Sequence, residues 1–301
     1  MKVVVAEALG LCFGVRDALE VARRIERPVE ITVRGELVHN PRVNREFAER
    51  GFAMIPEHDV WGGAMPATEG VLVTAHGISD RERARLTAAG KHVVDTTCPL
   101  VRKAHAAAVE LQRQGFHVLV IGQRDHVEVR GLTGDLESFD VLESLRDLRR
   151  WGYGKLGIVA QTTCLERDAK AMVERVRRMN PDAEVRFVNT ICQPTRDRQA
   201  ALEKLLHQVD VLVVVGGRNS NNTRRLVRRA MARRVPTVHV EEAEELCLCE
   251  PLFLPGMIVG LTAGTSTLAE TIGQVRIKLE SMFSEISEMT VATHVSQGQE
   301  R

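Results

Sequence analysis

CPLVRKAHAAAVELQRQGFHVLVIG, residues 98–122, reads as a helix followed directly by a strand. Val101, Ala104, Ala108 and Leu111 recur at three- and four-residue spacing, which puts them on one helical face. HVLVIG at 117–122 is short, apolar, β-branched and closed by a glycine, the pattern of a buried strand in a parallel sheet. The same order occurs twice more. CFGVRDALEVARRIERPVEITVRG at 12–35 sets Val15, Leu19, Ala22 and Ile25 ahead of VEITVRG, and CQPTRDRQAALEKLLHQVDVLVVVGG at 192–217 sets Ala201, Leu205 and Val209 ahead of VLVVVGG. Cys12, Cys98 and Cys192 open the three copies, 86 and 94 residues apart, so the chain reads as one supersecondary unit used three times.

Polar residues travel with the cysteines. Gly35, Gly122 and Gly216 lie 23, 24 and 24 residues beyond them, and His39 with Asn40, His126 with Glu128, and Ser220 with Asn222 follow at offsets of 27 to 30. A second strand in each copy, GVLVTAHG (70–77), KLGIVAQTT (155–163) and GMIVGLTAGTS (256–266), ends in His76, Thr162 and Ser266. His76 and Thr162 are each 64 residues past their cysteine, whereas Ser266 is 74 past Cys192, which marks an insertion around CLCEPLFLP. In a parallel α/β unit, strand C-termini and helix N-termini share the edge where ligands bind. The expected fold is therefore three similar α/β lobes with parallel sheets in a pseudo-threefold trefoil, bringing three thiolates to one point. The lobes are expected at 14–97, 98–191 and 192–288, the last taking in the strand at 1–13, with a helix at about 267–287 and a polar tail at 289–301.

Composition narrows the classes of function. Lys plus Arg number 41 against 40 Asp plus Glu, and only 4% of residues are aromatic, so there is neither a field to hold a polyanion nor a platform for stacking bases. Six unevenly placed cysteines in 301 residues do not form a small secreted disulfide framework and suit a reducing cytoplasm. MKVVVAEALGLCFGV is interrupted by Glu7 and lacks a small-residue cleavage site, so it reads as a strand leading into the Cys12 turn. No apolar stretch approaches the roughly 18 residues of a membrane span.

Three cysteine ligands suit a zinc ion that finds a fourth ligand, or an iron–sulfur cluster with one iron left open. Zinc sites commonly use Cys-x-x-Cys pairs, absent around all three, whereas one thiolate per lobe suits a cluster at a junction. A cysteine at a helix start also has its thiolate favoured by unpaired N–H groups and the helix dipole. His39, His76, His126, Ser220, Asn222 and Ser266 are donors suited to a phosphate-type anion, and Glu128 is the natural proton donor. Taken singly, each has a plainer reading. A lone cysteine is most often a small buried hydrophobe, a lone histidine a satisfied loop residue, and Ser or Asn a helix cap; matched placement is what argues otherwise. Cys164 reads as a spectator thiol, Cys247-x-Cys249 fits no ligand motif, and the arginines at 224, 225, 228, 229, 233 and 234 read as a solvated helix face. Two rival functions share these residues: an iron–sulfur hydro-lyase, and a three-cysteine zinc or redox-sensing protein with an anion pocket.

GLCFGV (10–15), GELVHN (35–40), TAHG (74–77), DTTCPLV (95–101), HVEV (126–129), QTT (161–163), TICQPTRDRQ (190–199), NSNN (219–222) and TAGTS (262–266), in this order, resemble the 4-hydroxy-3-methylbut-2-enyl diphosphate reductases, the IspH or LytB family. The resemblance implies a three-lobed α/β protein with a central 4Fe-4S cluster, held by Cys12, Cys98 and Cys192, whose fourth iron takes the substrate hydroxyl. It implies that His39, His76, His126, Ser220, Asn222 and Ser266, with Asn221 beside them, hold the diphosphate, that Glu128 delivers protons, and that Thr162 and His126 join the relay. The implied reaction is a two-electron reductive dehydroxylation to isopentenyl and dimethylallyl diphosphates, with reduced ferredoxin or flavodoxin as donor. The chain departs from the family pattern at Val127, where Pro is usual, at Pro194, where Ala is commoner, and at Asn221, where Ser is usual.

Overall fold

The computed structural model describes residues 2–60 and 65–282, and it resolves the three predicted copies into three four-stranded sheets, parallel throughout. The sequence starts with β1 (Lys2–Val5) and α1 (Phe13–Arg23). The first sheet then forms from β2 (Ile31–Arg34), β3 (Ala53–Ile55), β4 (Gly70–Val73) and β5 (His92–Asp95), with α2 (Pro41–Glu49) and α3 (Asp80–Ala88) between them. The second copy opens with α4 (Pro99–Arg113) and continues through β6 (His117–Ile121), α5 (Val127–Thr133), β7 (Phe139–Leu142), β8 (Lys155–Ala160), α6 (Glu166–Met179) and β9 (Glu184–Phe187). The third has α7 (Gln193–Leu206), β10 (Val211–Val215), α8 (Asn221–Ala232), β11 (Thr237–Val240) and β12 (Ile258–Ala263). Helical residues 269–282 follow; the remainder of the helix expected to 287, and the tail at 289–301, lie outside the described residues.

One strand order serves all three sheets. The first runs β3-β2-β4-β5 and the second β7-β6-β8-β9. The third runs β11-β10-β12-β1, so the strand at the start of the sequence fills the place that β5 and β9 fill in their own copies. Lys2 pairs with Ile258 and Val5 with Leu261. Each of the three cysteines thus follows the fourth strand of one sheet and opens the first helix of the next copy.

Hydrophobicity explains which strands are central. VLVVV of β10 and HVLVI of β6 are buried at every position, because helices cover both faces of a parallel sheet. Val101, Ala104, Ala108 and Leu111 of α4 are all buried, as their spacing predicts, and the last three share a core with Val118, Val120 and Val159. Each fully buried Val or Leu contributes about 1.5–3 kcal/mol. VEITVRG is shorter than expected, because Pro28–Glu30 form a 3-10 turn and only Ile31–Arg34 join the sheet. By internal contacts the chain divides into two compact units, Cys12–Arg196, which holds the first two sheets, and Met1–Leu11 with Asp197–Arg301, which holds the third. Among the described residues no helix is long and apolar enough to cross a membrane.

Candidate active site

Within Cys12–Arg196 the three cysteines all stand at helix starts. Cys12 and Cys98 are the N-caps of α1 and α4, and Cys192 precedes α7, its carbonyl accepting the N–H groups of Thr195 and Arg196 at 3.1 Å. All three are half-buried. Burial pushes the Cys98 thiol up, while the N–H groups of Leu100 and Val101 favour its thiolate and the nearness of Cys12 and Glu128 opposes it. Burial likewise pushes Cys192 up, against the hydroxyl and N–H of Thr195; its Sγ lies 3.1 Å from the Thr195 hydroxyl.

Backbone bonds tie these cysteines to the polar strand tips. The Cys98 N–H donates to the Ala75 carbonyl, beside His76, and the Cys192 N–H donates to the Thr162 carbonyl, both at 3.0 Å. Thr162 turns its own N–H to Glu128 Oε1 at 2.6 Å, so a single residue links the buried acid to a cysteine. The Glu128 N–H in turn donates to His126 Nδ1 at 3.0 Å. His126 caps α5 in this way, because an imidazole nitrogen without its proton is an acceptor.

His39, His76 and His126 form one cluster. Ring centroids are 4.2 Å apart for His39 and His76, 5.1 Å for His39 and His126, and 5.6 Å for His76 and His126. Burial, then the neighbouring His39 and His126, hold His76 well below the ordinary 6.5, so it is neutral near pH 7. Its Nδ1 lies 3.4 Å from the Thr74 hydroxyl.

The second unit holds the remaining predicted residues. Ser220 is the N-cap of α8, its hydroxyl accepting from the Thr223 N–H at 3.4 Å, so its capping role is realised. Asn221 and Asn222 follow in the first turn, both buried, as is Ser266 beyond β12. Asn221 Oδ1 accepts from Arg224 at 2.6 Å, but the Nδ2 groups of Asn221 and Asn222 are buried with no hydrogen-bond partner among the described residues. Leaving a buried donor unpaired costs about 1–3 kcal/mol, and an anionic ligand would remove that penalty.

The donor sets separate a single metal ion from a larger group. Among the described residues, His39–Glu57–His76 and Asp80–His105–Asp135 each offer ligand atoms within 4.8 Å of one another, and the three cysteines do not form such a group. Thiolates around one zinc ion, with bonds of about 2.3 Å, stand closer than that. The approach of α1 to Cys98 is nonetheless tight, since a Cβ on Gly14 would come within 2.4 Å of the Cys98 sulfur. Thiols at helix N-termini, spaced too widely for one ion, fit a polynuclear iron–sulfur group.

The model of the LytB protein family matches residues 3–280. The chain belongs to the LytB family. Among its relatives, the 4-hydroxy-3-methylbut-2-enyl diphosphate reductase of Aquifex aeolicus is 34% identical over 291 residues, covering 94% of this chain and 97% of the relative. That of Dictyoglomus turgidum is 35% identical over 286 residues, covering 94% and 98%. Of solved structures, the E-1-hydroxy-2-methyl-but-2-enyl-4-diphosphate reductase from Plasmodium falciparum matches with a TM-score of 0.80 at 27% identity, over 91% of this chain and 86% of that one. A second, an (E)-4-hydroxy-3-methyl-but-2-enyl diphosphate reductase described as the terminal enzyme of the non-mevalonate pathway, matches with a TM-score of 0.65 at 33% identity, over 93% and 100%. The three parallel α/β sheets expected from the repeat are the ones observed. Residues that reading the motifs missed are Thr195, Thr74, Glu36 and Glu57. Thr195 had a signal, standing three residues after Cys192 where a helix N-cap finds its partner.

Proposed function

We propose that this chain catalyses the reductive dehydroxylation of (E)-4-hydroxy-3-methylbut-2-enyl diphosphate to isopentenyl and dimethylallyl diphosphates. The reading fits its place in the LytB family and rests on one observation: three half-buried thiols share a unit with a histidine cluster and a buried carboxylate joined to Cys192 through Thr162. Two electrons and two protons enter, the C–O bond breaks, one proton leaves with the hydroxyl as water, and the other ends on carbon. Cys12, Cys98 and Cys192 would hold a 4Fe-4S cluster, in a chain taken as lobes at 14–97, 98–191 and 192–288 with 1–13. Bound there, the cluster supplies the electrons and a Lewis-acidic iron for the substrate hydroxyl.

The rest of the chemistry belongs to side chains of this chain. His39, His76 and His126 bind the diphosphate, together with Ser220, Asn221, Asn222 and Ser266. Glu128 delivers protons from its carboxyl, with Thr162 fixing one oxygen and adding its hydroxyl to the relay. Reduced ferredoxin or flavodoxin is the proposed donor, and a reducing cytoplasm the proposed setting. Protein purified without oxygen is expected to be brown, with about four iron and four sulfide per chain, and to turn substrate over only when a reductant is added. Turnover without reductant would favour a hydro-lyase, and about one zinc per chain a sensor. Glu128→Gln is expected to lower turnover by about 10² or more with iron content unchanged; full activity in that variant removes the proton-delivery role.

A further inference from the structure

Two carboxylates, Glu36 and Glu57, stand behind His39. His39 Nδ1 lies 3.1 Å from Glu36 Oε2 and 3.5 Å from Glu57 Oε1. Glu57 comes just after β3, and its carboxylate also accepts the N–H of Glu36. The Oε1 atom that faces His39 is buried and has no hydrogen bond of its own among the described residues. Gly35, at φ +87°, makes room for this side chain, because a Cβ there would meet Glu57 Cγ at 3.3 Å.

The hydrogen-bond partners fix where each proton sits. A backbone N–H can only donate, so His126 Nδ1, which receives it from Glu128, is unprotonated and the neutral ring carries its proton on Nε2. That Nε2 is 3.3 Å from His39 Nε2, which must then accept. His39 is left with its proton on Nδ1, facing the two carboxylates. One directed chain runs from the Glu128 N–H through His126 and His39 to Glu36, with Glu57 Oε1 beside the same His39 nitrogen at 3.5 Å.

We propose that Glu36 and Glu57 are positioning residues for His39: they hold its proton on Nδ1, turn its Nε2 edge to the diphosphate site, and balance a second proton taken up on Nε2 when the anion binds. This rests on the reading of His39 as a diphosphate ligand. An arriving phosphate oxygen competes for the His126 Nε2–H and frees His39 Nε2, which takes a proton from solvent and becomes a second donor. Among the described residues, the titratable groups Glu36, Glu57, His76 and His126 face His39. His76 is kept neutral by burial and its two neighbours, while burial, against the pull of His39, pushes the Glu57 carboxyl up.

The test is titration calorimetry of the anaerobic, cluster-loaded protein with inorganic diphosphate, in buffers of different ionisation enthalpy, which yields both affinity and protons taken up. Wild type is expected to take up protons on binding. Glu57→Gln is expected to bind about tenfold more weakly and to take up fewer protons, with an unchanged melting curve and iron content, while Glu57→Asp restores most of both. Substrate kinetics should show the loss in KM more than in kcat. If wild type does not bind diphosphate at all, the site reading fails and the proposal falls with it. If wild type binds and folded Glu57→Gln matches it in affinity and proton count, only the positioning role is overturned. Glu36→Gln, measured the same way, decides the matter should Glu57→Gln not fold.

Discussion

Asp95 shows how a residue beside a cysteine can serve stability first. It lies two residues before Thr97, whose N–H and hydroxyl it accepts at 2.9 and 2.5 Å, and it pairs with Arg83 and with Arg102 at 2.8 Å. Burial alone pushes its carboxyl up, but the Thr97 hydrogen bonds and the Arg83 guanidinium outweigh it and hold the group below its ordinary 3.8. The folded state therefore binds this proton more weakly than the unfolded chain. Its stabilisation is complete above the unfolded value of 3.8 and is lost as pH falls through the lower folded value. Asp95→Asn is expected to cost about 2–3 kcal/mol near neutrality, as measured by denaturant unfolding, and to flatten the acid limb of stability. An unchanged acid limb would rule out this role. His76 works in the same direction from a higher starting point: its folded value is depressed, so its contribution is complete above 6.5 and declines as pH falls below it.

At the scale of elements, α1 sets helix propensity against contact. Ala is favoured over Gly in a helix by roughly 0.8–1 kcal/mol, yet a Cβ at Gly14 would press on both the sulfur and the Cβ of Cys98, at 2.4 and 3.0 Å. Gly14→Ala is expected to fold but to retain less than about half the iron and sulfide of wild type, since the displaced atom is a proposed cluster ligand and its two-bond side chain has little room to retreat. Full iron content would show that α1 can shift without disturbing Cys98. Besides β1, the strands legible in the sequence were those buried on both faces: β2, β4, β6, β8, β10 and β12 are the inner strands of their sheets, and their apolar runs announce them. β3, β5, β7, β9 and β11 were not read. All five are edge strands of three or four residues, partly exposed, as in HVVD and EVRF, so they lack the unbroken apolar run, and an alternation as short as that of EVRF or TVHV does not stand out from its surroundings. The site divides the same way. Cysteines and strand tips could be read because they recur in register; Glu57 recurs as well, with Glu143 and Glu241 after β7 and β11 accepting the N–H groups of Arg124 and Arg218, but its reach to His39 is set by tertiary packing.

At the scale of the molecule, one strand order used three times would be incomplete without β1. Deleting Lys2–Val5 should expose the edge of β12 and strip Val3 and Val5 from the core they share with Val259 and Leu261. The expected loss is about 3 kcal/mol or more, read from the midpoint of chemical unfolding, and a variant as stable as wild type would mean that β12 tolerates an open edge. This borrowed strand also orders events in time. On a ribosome the first and second sheets can close as soon as their own strands emerge, but Lys2 must wait for Ile258 to be synthesised. A strand that leaves the exit tunnel long before β12 is thus among the last to find its neighbour, and Cys12 is tethered to it by a few residues. Assembly of the proposed cluster would then be a late, post-translational step, and a nascent chain stalled before β12 would offer iron only part of its destination.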